Sequence, residues 1–406
     1  MKSMIIHNSI VLLAVLFMII PPDAEAQNSP RPDKDASLTI SDGSTFVPQT
    51  FYPTFSWETT PMYYMFGDHQ RVLTSEEVRF ISERTDFLCI EKSHGLKELG
   101  AAELGAKHEV AAFKQLKPDA KVLFYFNSAY AWPFTSYNKA FTRDEIDKYP
   151  ELKDFLIIDS ETGELAHRRN TFFFDVLNPD FRKWWVETVA KGVKESGCDG
   201  AFIDQMHGFY FLRPDKAREV QVAMGEMMTA LKKQLGSGKI LLGNNAHQEI
   251  GQYVFPAVDA IMFEHYKEEL VSKEALLADW DNMLRIAKAG KMSIFRIGVE
   301  VEEISQTVTK SGQRDERRES LAKERLEYYQ ACFLIGAQPY SFFQYGWGWT
   351  LSSGSLVDFP SLQKPLGLPK GAYKRINVDA WQFTREFEHA SVWVDTEKGV
   401  AKITWK

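Results

Sequence analysis

From about Phe51 to Gln344 the chain alternates two textures. Short, unbroken apolar runs recur, and most are separated by longer stretches with apolar residues at helical spacing. Eight runs stand out, at 62–66, 87–91, 122–127, 200–204, 240–244, 260–264, 292–296 and 340–344. Runs this short, without two-residue alternation, read as strands covered on both faces, the condition of a parallel sheet. Helical stretches from Ser75 and at 104–116, 181–195, 215–235, 273–289 and 318–334 supply the crossovers that parallel neighbours need. Eight such units predict an α/β fold, a closed (β/α)₈ TIM barrel. The competitor is an open doubly wound sheet, which would carry a glycine-rich phosphate loop after one strand. No GxGxxG or GxxxxGK(S/T) occurs, which favours the barrel and leaves no dinucleotide or nucleotide cofactor motif.

Three segments fall outside the repeat. Residues 128–180 form a long insertion after the third strand, far beyond the usual βα loop of about 2–6 residues. It carries Trp132, Pro133, Phe134 and the basic His167-Arg168-Arg169, and an insertion on that side of a barrel is expected to help build the site. After Tyr373, the alternating stretches 390–394 and 400–405 flank Asp395-Thr396-Glu397-Lys398-Gly399 and read as a β-hairpin packed on the outside of the barrel. At the start, Lys2 precedes the apolar run Ile10–Ile20, followed by Pro21-Pro22 and Ala24-Glu25-Ala26. That order is a secretory signal with an A-x-A cleavage site, and the run is too short to span a bilayer. The expected organisation is a signal peptide at 1–26, a polar linker or tail at 27–48, the barrel at 49–372 and a C-terminal β appendage at 373–406. The mature protein is expected to be exported, periplasmic or extracellular, with no membrane span after cleavage.

Composition narrows the function. Lys and Arg number 48 and Asp and Glu 55, a net charge of −7. An acidic chain with no long basic run is a poor partner for nucleic acid, whose phosphates need grouped Lys and Arg. The three cysteines, Cys89, Cys198 and Cys332, form no CxxC, so neither a zinc ribbon nor a redox dithiol is written here. No G-x-S-x-G nucleophile elbow occurs either.

The candidate chemistry lies at the strand ends. Seven runs end in a polar residue: Glu91, Asn127, Asp204, Asn244, Glu264, Arg296 and Gln344. In a barrel these ends share one face, the face that carries active sites. Such a ring of hydrogen-bonding groups suits a polyhydroxylated substrate. Asp204 and Glu264 both follow apolar strands, so partial desolvation should shift their protonation. Glycoside hydrolysis uses such a pair, one carboxylate at the anomeric carbon and one acid at the leaving oxygen. The structural alternatives are a loop-capping carboxylate for Asp204 and a simple Glu264–His265 charged pair. Lys92, His94, His207, Asn245, His265 and Trp347 lie beside these strand ends and complete the expected substrate-binding set.

The stretch Gly200-Ala201-Phe202-Ile203-Asp204 resembles the D-G-x-F-x-D strand of several clans of TIM-barrel glycoside hydrolases. The strand ending in Glu264 looks like the acid strand of the endo-α-1,4-polygalactosaminidase-type families. Residues 61–67, 90–95, 123–127 and 175–185 are similar to a set of exported glycosidases of environmental bacteria. Arg385-Glu386-Phe387-Glu388 fits the R-x-F-E-N-G of that set, from which His389-Ala390 depart. The resemblance covers roughly residues 50–406 and implies the barrel, with Asp204 as nucleophile or base and Glu264 as acid. It favours a retaining route, since the resembled families place an Asp nucleophile at the fourth strand.

Other readings use the same residues. His207, His247 and His265 follow strands four, five and six and could hold a metal with Asp204 or Glu264, although no HExxH spacing occurs. Lys92 could form a Schiff base, but Glu91 beside it points to an ion pair. Trp347 and Trp349 could make a sugar-stacking wall or a packed lid. Two main classes follow: an exported glycoside hydrolase acting on a poly- or oligosaccharide, without cofactor, or a catalytically silent glycan-binding barrel. A metal-dependent hydrolase is a third. Oligomeric state has no signature in the sequence.

Overall fold

A computed structural model describes residues 38–248, 251–299 and 315–406. The expected leader at 1–26 and the first part of the linker lie outside the described residues. Eight parallel strands follow in chain order: β1 (Tyr64–Phe66), β2 (Phe87–Ile90), β3 (Lys121–Asn127), β4 (Gly200–Asp204), β5 (Ile240–Asn244), β6 (Ala260–Glu264), β7 (Met292–Ile297) and β8 (Ser341–Tyr345). Each pairs with the next. The ring closes just before β1, where Tyr63 N donates to Phe343 O at 2.8 Å and Phe343 N to Pro61 O at 2.7 Å. The chain is thus the α/β TIM barrel expected from its apolar runs.

Among the described residues, six helices of eight residues or more pack outside: α1 (Ser75–Ser82), α2 (Ala102–Leu116), α3 (Pro179–Ser196), α4 (Ala217–Leu235), α5 (Lys273–Lys288) and α6 (Glu316–Gly336). Their starts are written locally. Thr74 and Glu77 form a reciprocal capping box at α1. Asn178 accepts from Asp180 N and Phe181 N ahead of α3, whose first residue is Pro179. The indole of Trp185 on α3 then donates to Asn127 O at 3.0 Å, which ties this helix to the C-terminal end of β3.

Alternation sorts each strand into two layers. Tyr63, Met65, Phe87, Cys89, Leu123, Tyr125, Phe202, Leu242, Met262 and Ile294 fill the barrel interior. Their neighbours face the helices. At Gly200 the strands approach so closely that an added Cβ would lie 1.9 Å from Ile240 O. The bottom is closed by residues expected as a polar tail. Ile40 and Phe46 are buried, and Phe46 stacks on Tyr340 with ring centroids 4.7 Å apart. Two apolar anchors in a polar segment were too sparse a signal to read.

The insertion, residues 128–178, extends the outer apolar layer with Phe141, Phe155 and Phe174, packed against Trp184. Its basic His167, Arg168 and Arg169 are exposed beside a short turn. The C-terminal appendage is larger than a hairpin. It is a four-stranded antiparallel sheet of β9 (Lys374–Arg375), β10 (Gln382–Glu386), β11 (Ala390–Asp395) and β12 (Val400–Trp405), packed on α6.

Candidate active site

The inward register continues past the apolar layers to the top of the barrel. Glu91, Asn127, Asp204, Asn244, Glu264, Arg296 and Gln344 share the interior parity of their strands, so each is the uppermost inward side chain. Asp204 is held by neutral donors on both oxygens. Its Oδ2 accepts from the Tyr125 hydroxyl at 2.7 Å and from Asn127 Nδ2 at 3.4 Å. Its Oδ1 accepts from Gln205 N at 2.8 Å and Asn244 Nδ2 at 3.0 Å. Gln205 sits at φ 66°, the left-handed region, which turns its amide back onto Asp204.

Asn244 links the two carboxylates. Its Nδ2 donates to Asp204 Oδ1 at 3.0 Å and to Glu264 Oε2 at 2.5 Å, so these two oxygens are at most about 5.5 Å apart. Asn245, also left-handed at φ 55°, accepts the Glu264 backbone N–H at 3.0 Å. Burial, and then the Asp204 charge, holds the Glu264 carboxyl above its ordinary value; Arg296, the Asn244 hydrogen bond and Lys92 oppose this without reversing it.

Two cations stand by. Burial lowers the Arg296 guanidinium to about 10, and it lies 4.2 Å from the centroid of Trp349. Lys92 is ion-paired with Glu91. Burial pulls the Lys92 ammonium down, but the Glu91, Asp204 and Glu264 charges outweigh it and leave it above its ordinary value. Gln344 Nε2 donates to Met65 O at 3.2 Å and so helps close the ring between β8 and β1.

A pocket of about 260 Å³ opens over the pair, lined by Asp204, Gln205, Met206, His207, Asn244, Asn245, Gln248, Glu264 and Tyr266. His207 Nδ1 accepts from Phe209 N at 3.0 Å, which leaves its Nε2–H as the ring's free donor. Burial lowers the His207 imidazole, with Asp204 opposing.

Three expected residues are not gathered at the carboxylates. His94 is fully buried against α2, accepting from Asp68 N at 2.9 Å and donating through Nε2 to Glu109 at 2.7 Å. His265 has the opposite parity to Glu264. It donates from Nδ1 to Arg296 O at 2.9 Å and pairs with Asp279 of α5 at 2.7 Å. Trp347 is packed in the outer apolar layer, with Gly354 beneath its ring. His247 turns to Asp279, 3.9 Å away, and among the described residues no three His, Cys, Asp or Glu side chains are grouped to hold a metal. Sequence reasoning missed Tyr125, although it lies two residues before Asn127 and therefore on the same face. It also missed Tyr266, which follows Glu264 by two.

Residues 114–391 match the model of "Hypothetical glycosyl hydrolase family 15", more than half of the chain. The chain belongs to this family. Membership supports glycan hydrolysis in general, with a carbohydrate as substrate. Among solved structures, the glycoside hydrolase domain of PelA from Pseudomonas aeruginosa is similar at 12% identity and TM-score 0.45, over 71% of this chain and 96% of that one. An α-amylase from Geobacillus thermoleovorans, complexed with acarbose, is similar at 13% identity and TM-score 0.49, over 84% and 87%. Eubacterium rectale Amy13B is similar at 11% identity and TM-score 0.49, over 86% and 89%. No curated protein matches the chain. Among the described residues, no helix is long and apolar enough to cross a membrane.

Proposed function

We propose that this chain is an exported, retaining glycoside hydrolase that cleaves a poly- or oligosaccharide, with Asp204 as nucleophile and Glu264 as acid and base. The observation that carries the reading is the single Asn244 nitrogen bonded to both carboxylates. The bridge draws the facing oxygens together, which supports a retaining pair, whose carboxyl groups lie about 5–5.5 Å apart, over an inverting pair, which needs about 6.5–9.5 Å for its water. Glu264 donates its proton to the glycosidic oxygen while Asp204 attacks the anomeric carbon, so the C–O bond breaks and a glycosyl–Asp204 ester forms. The Glu264 carboxylate then takes a proton from water, the water oxygen attacks the same carbon, and Asp204 leaves. Tyr125, Asn127 and Asn244 hold Asp204 by hydrogen bonds throughout. Export rests on the order of Lys2, the apolar run and Ala24-Glu25-Ala26.

The test is purified protein against a polysaccharide panel, with the anomer of the first product read by NMR. The expected product keeps the substrate's anomeric configuration, and Asp204→Asn loses at least about 10²–10⁴ in rate. Inversion would overturn the route. A near wild-type rate from Asp204→Asn would overturn the catalytic pair and favour a glycan-binding barrel.

A further inference from the structure

Two large aromatic side chains stand out of place on the surface. Tyr266 is 47% exposed and Phe211 is 54% exposed. Tyr266 lies on the loop after β6 and lines the catalytic pocket itself. Phe211 lies on the loop after β4, in the short turn Tyr210–Leu212, and its ring centroid is 5.4 Å from that of His207, another pocket residue. Since β5 separates β4 from β6 in the ring, the two loops flank the pocket on opposite sides.

Neither ring is needed to close the core. Behind Phe211, Phe209 is buried and stacks on Phe173 of the insertion with centroids 4.2 Å apart, so the apolar contact of this loop is already made. Phe211 touches Phe209 edge-on and leaves much of its surface open. Tyr266 has Lys267 Nζ 5.5 Å from its ring centroid, and among the described residues no aromatic ring packs on it. Leaving two such rings in water forgoes apolar burial, which a ligand with an apolar face would recover.

We infer that Tyr266 and Phe211 are the stacking walls of two sugar subsites, one on each side of the carboxylate pair, and that the ligand is a glycan chain of pyranose rings running across the pocket. The inference rests on the glycosidase reading of the same pocket. Each ring offers a flat apolar face to the axial C–H face of one sugar, while His207 Nε2–H, Gln248 and Asn245 supply polar contacts from the pocket floor and wall. Walls on both sides select an interior stretch of a chain over a single terminal sugar.

The test uses the full chain in native gels cast with chitosan, galactan, xylan or starch, whose retardation gives a dissociation constant, alongside cleavage of the same polymers. Tyr266→Ala and Phe211→Ala should each weaken retardation by the polymer that binds, by about 3- to 10-fold. Tyr266→Phe and Phe211→Tyr should retain it, which excludes misfolding as the cause. Unchanged retardation in both alanine variants, with the wild type still cleaving, would overturn the two walls and leave the glycosidase reading standing. Retardation that depends on both rings, without cleavage by the wild type, would uphold the walls and overturn the hydrolase. A wild type retarded by none of the four polymers would count against both.

Discussion

Asp204 and Glu264 are both carboxyl groups at strand ends, yet their surroundings differ. Asp204 accepts from Tyr125, Asn127, Gln205 and Asn244, the environment of an acceptor carrying charge. Glu264 receives one side-chain donor and is otherwise desolvated beside that charge, which keeps its proton to higher pH than an ordinary glutamate. If Glu264 is the acid, kcat/KM must fall as pH rises through its pKa, since the protonated form does the work. The alkaline limb should therefore sit above 4.5, the ordinary value for a glutamate. Glu264→Gln should abolish that limb for an activated aryl glycoside, whose leaving group needs no proton. A pH profile of the wild type and the variant checks this. A limb that survives Glu264→Gln would assign the proton elsewhere.

The elements explain why much of this was legible. Asp199-Gly200-Ala201-Phe202-Ile203-Asp204 and Asp259-Ala260-Ile261-Met262-Phe263-Glu264 share one layout, an acid at each end of a buried strand. The lower acids are structural. Asp199 binds Lys114 and the Val122 amide, and Asp259 binds Lys232 and the Leu241 amide, so each fixes a neighbouring strand at the barrel floor. The upper acids face the pocket. Strand parity thus carried the ring of seven polar ends from sequence to structure. The same parity misled where it was not applied: His265 is one residue past Glu264 and faces α5, and His94 lies in a turn where no alternation operates. The C-terminal strands β9 and β10 went unread because β9 has only two residues and Gln382-Phe383-Thr384-Arg385-Glu386 alternates too briefly. Within β10, Arg385 is buried and donates from Nη1 to Leu334 O and Ile335 O in the last turn of α6 and to Ala337 O just past its end. Burial lowers its guanidinium to about 10, so the charge persists at neutral pH. Arg385→Ala leaves those carbonyls buried and unpaired and should cost about 3 kcal/mol. Arg385→Lys should recover only part, since an ammonium cannot also reproduce the donation of Arg385 Nε to Gly371 O at 3.1 Å. Urea unfolding monitored by tryptophan fluorescence checks both, and an unchanged midpoint for Arg385→Ala would remove the arginine from the joint.

At the scale of the molecule, the barrel, its floor and the C-terminal sheet share buried surface. Phe46 and Ile40 seal the bottom, Trp280 of α5 packs edge-on against Phe383 of β10, and Glu327 of α6 accepts the Ile403 amide of β12 at 2.9 Å. A chain of this size buries enough apolar surface to stand without covalent staples. That bears on the proposed export, because an oxidising compartment usually invites disulfides. Cys89, Cys198 and Cys332 are free and buried, Cys89 inside the barrel and the other two among the apolar contacts of the outer layer. Burial pushes the Cys198 and Cys332 thiols up to about 12 and Cys89 well above its ordinary value. Thiolate is the reactive form, so near neutral pH neither oxidant nor thiol reagent should find one. The protein purified from the exported fraction should show no reactive thiol while folded and three after unfolding in guanidinium. An aromatic disulfide reagent read by absorbance counts them. Fewer than three after unfolding would mean that a pair had oxidised, and a thiol reacting at once in the folded protein would mean that the layer around it opens.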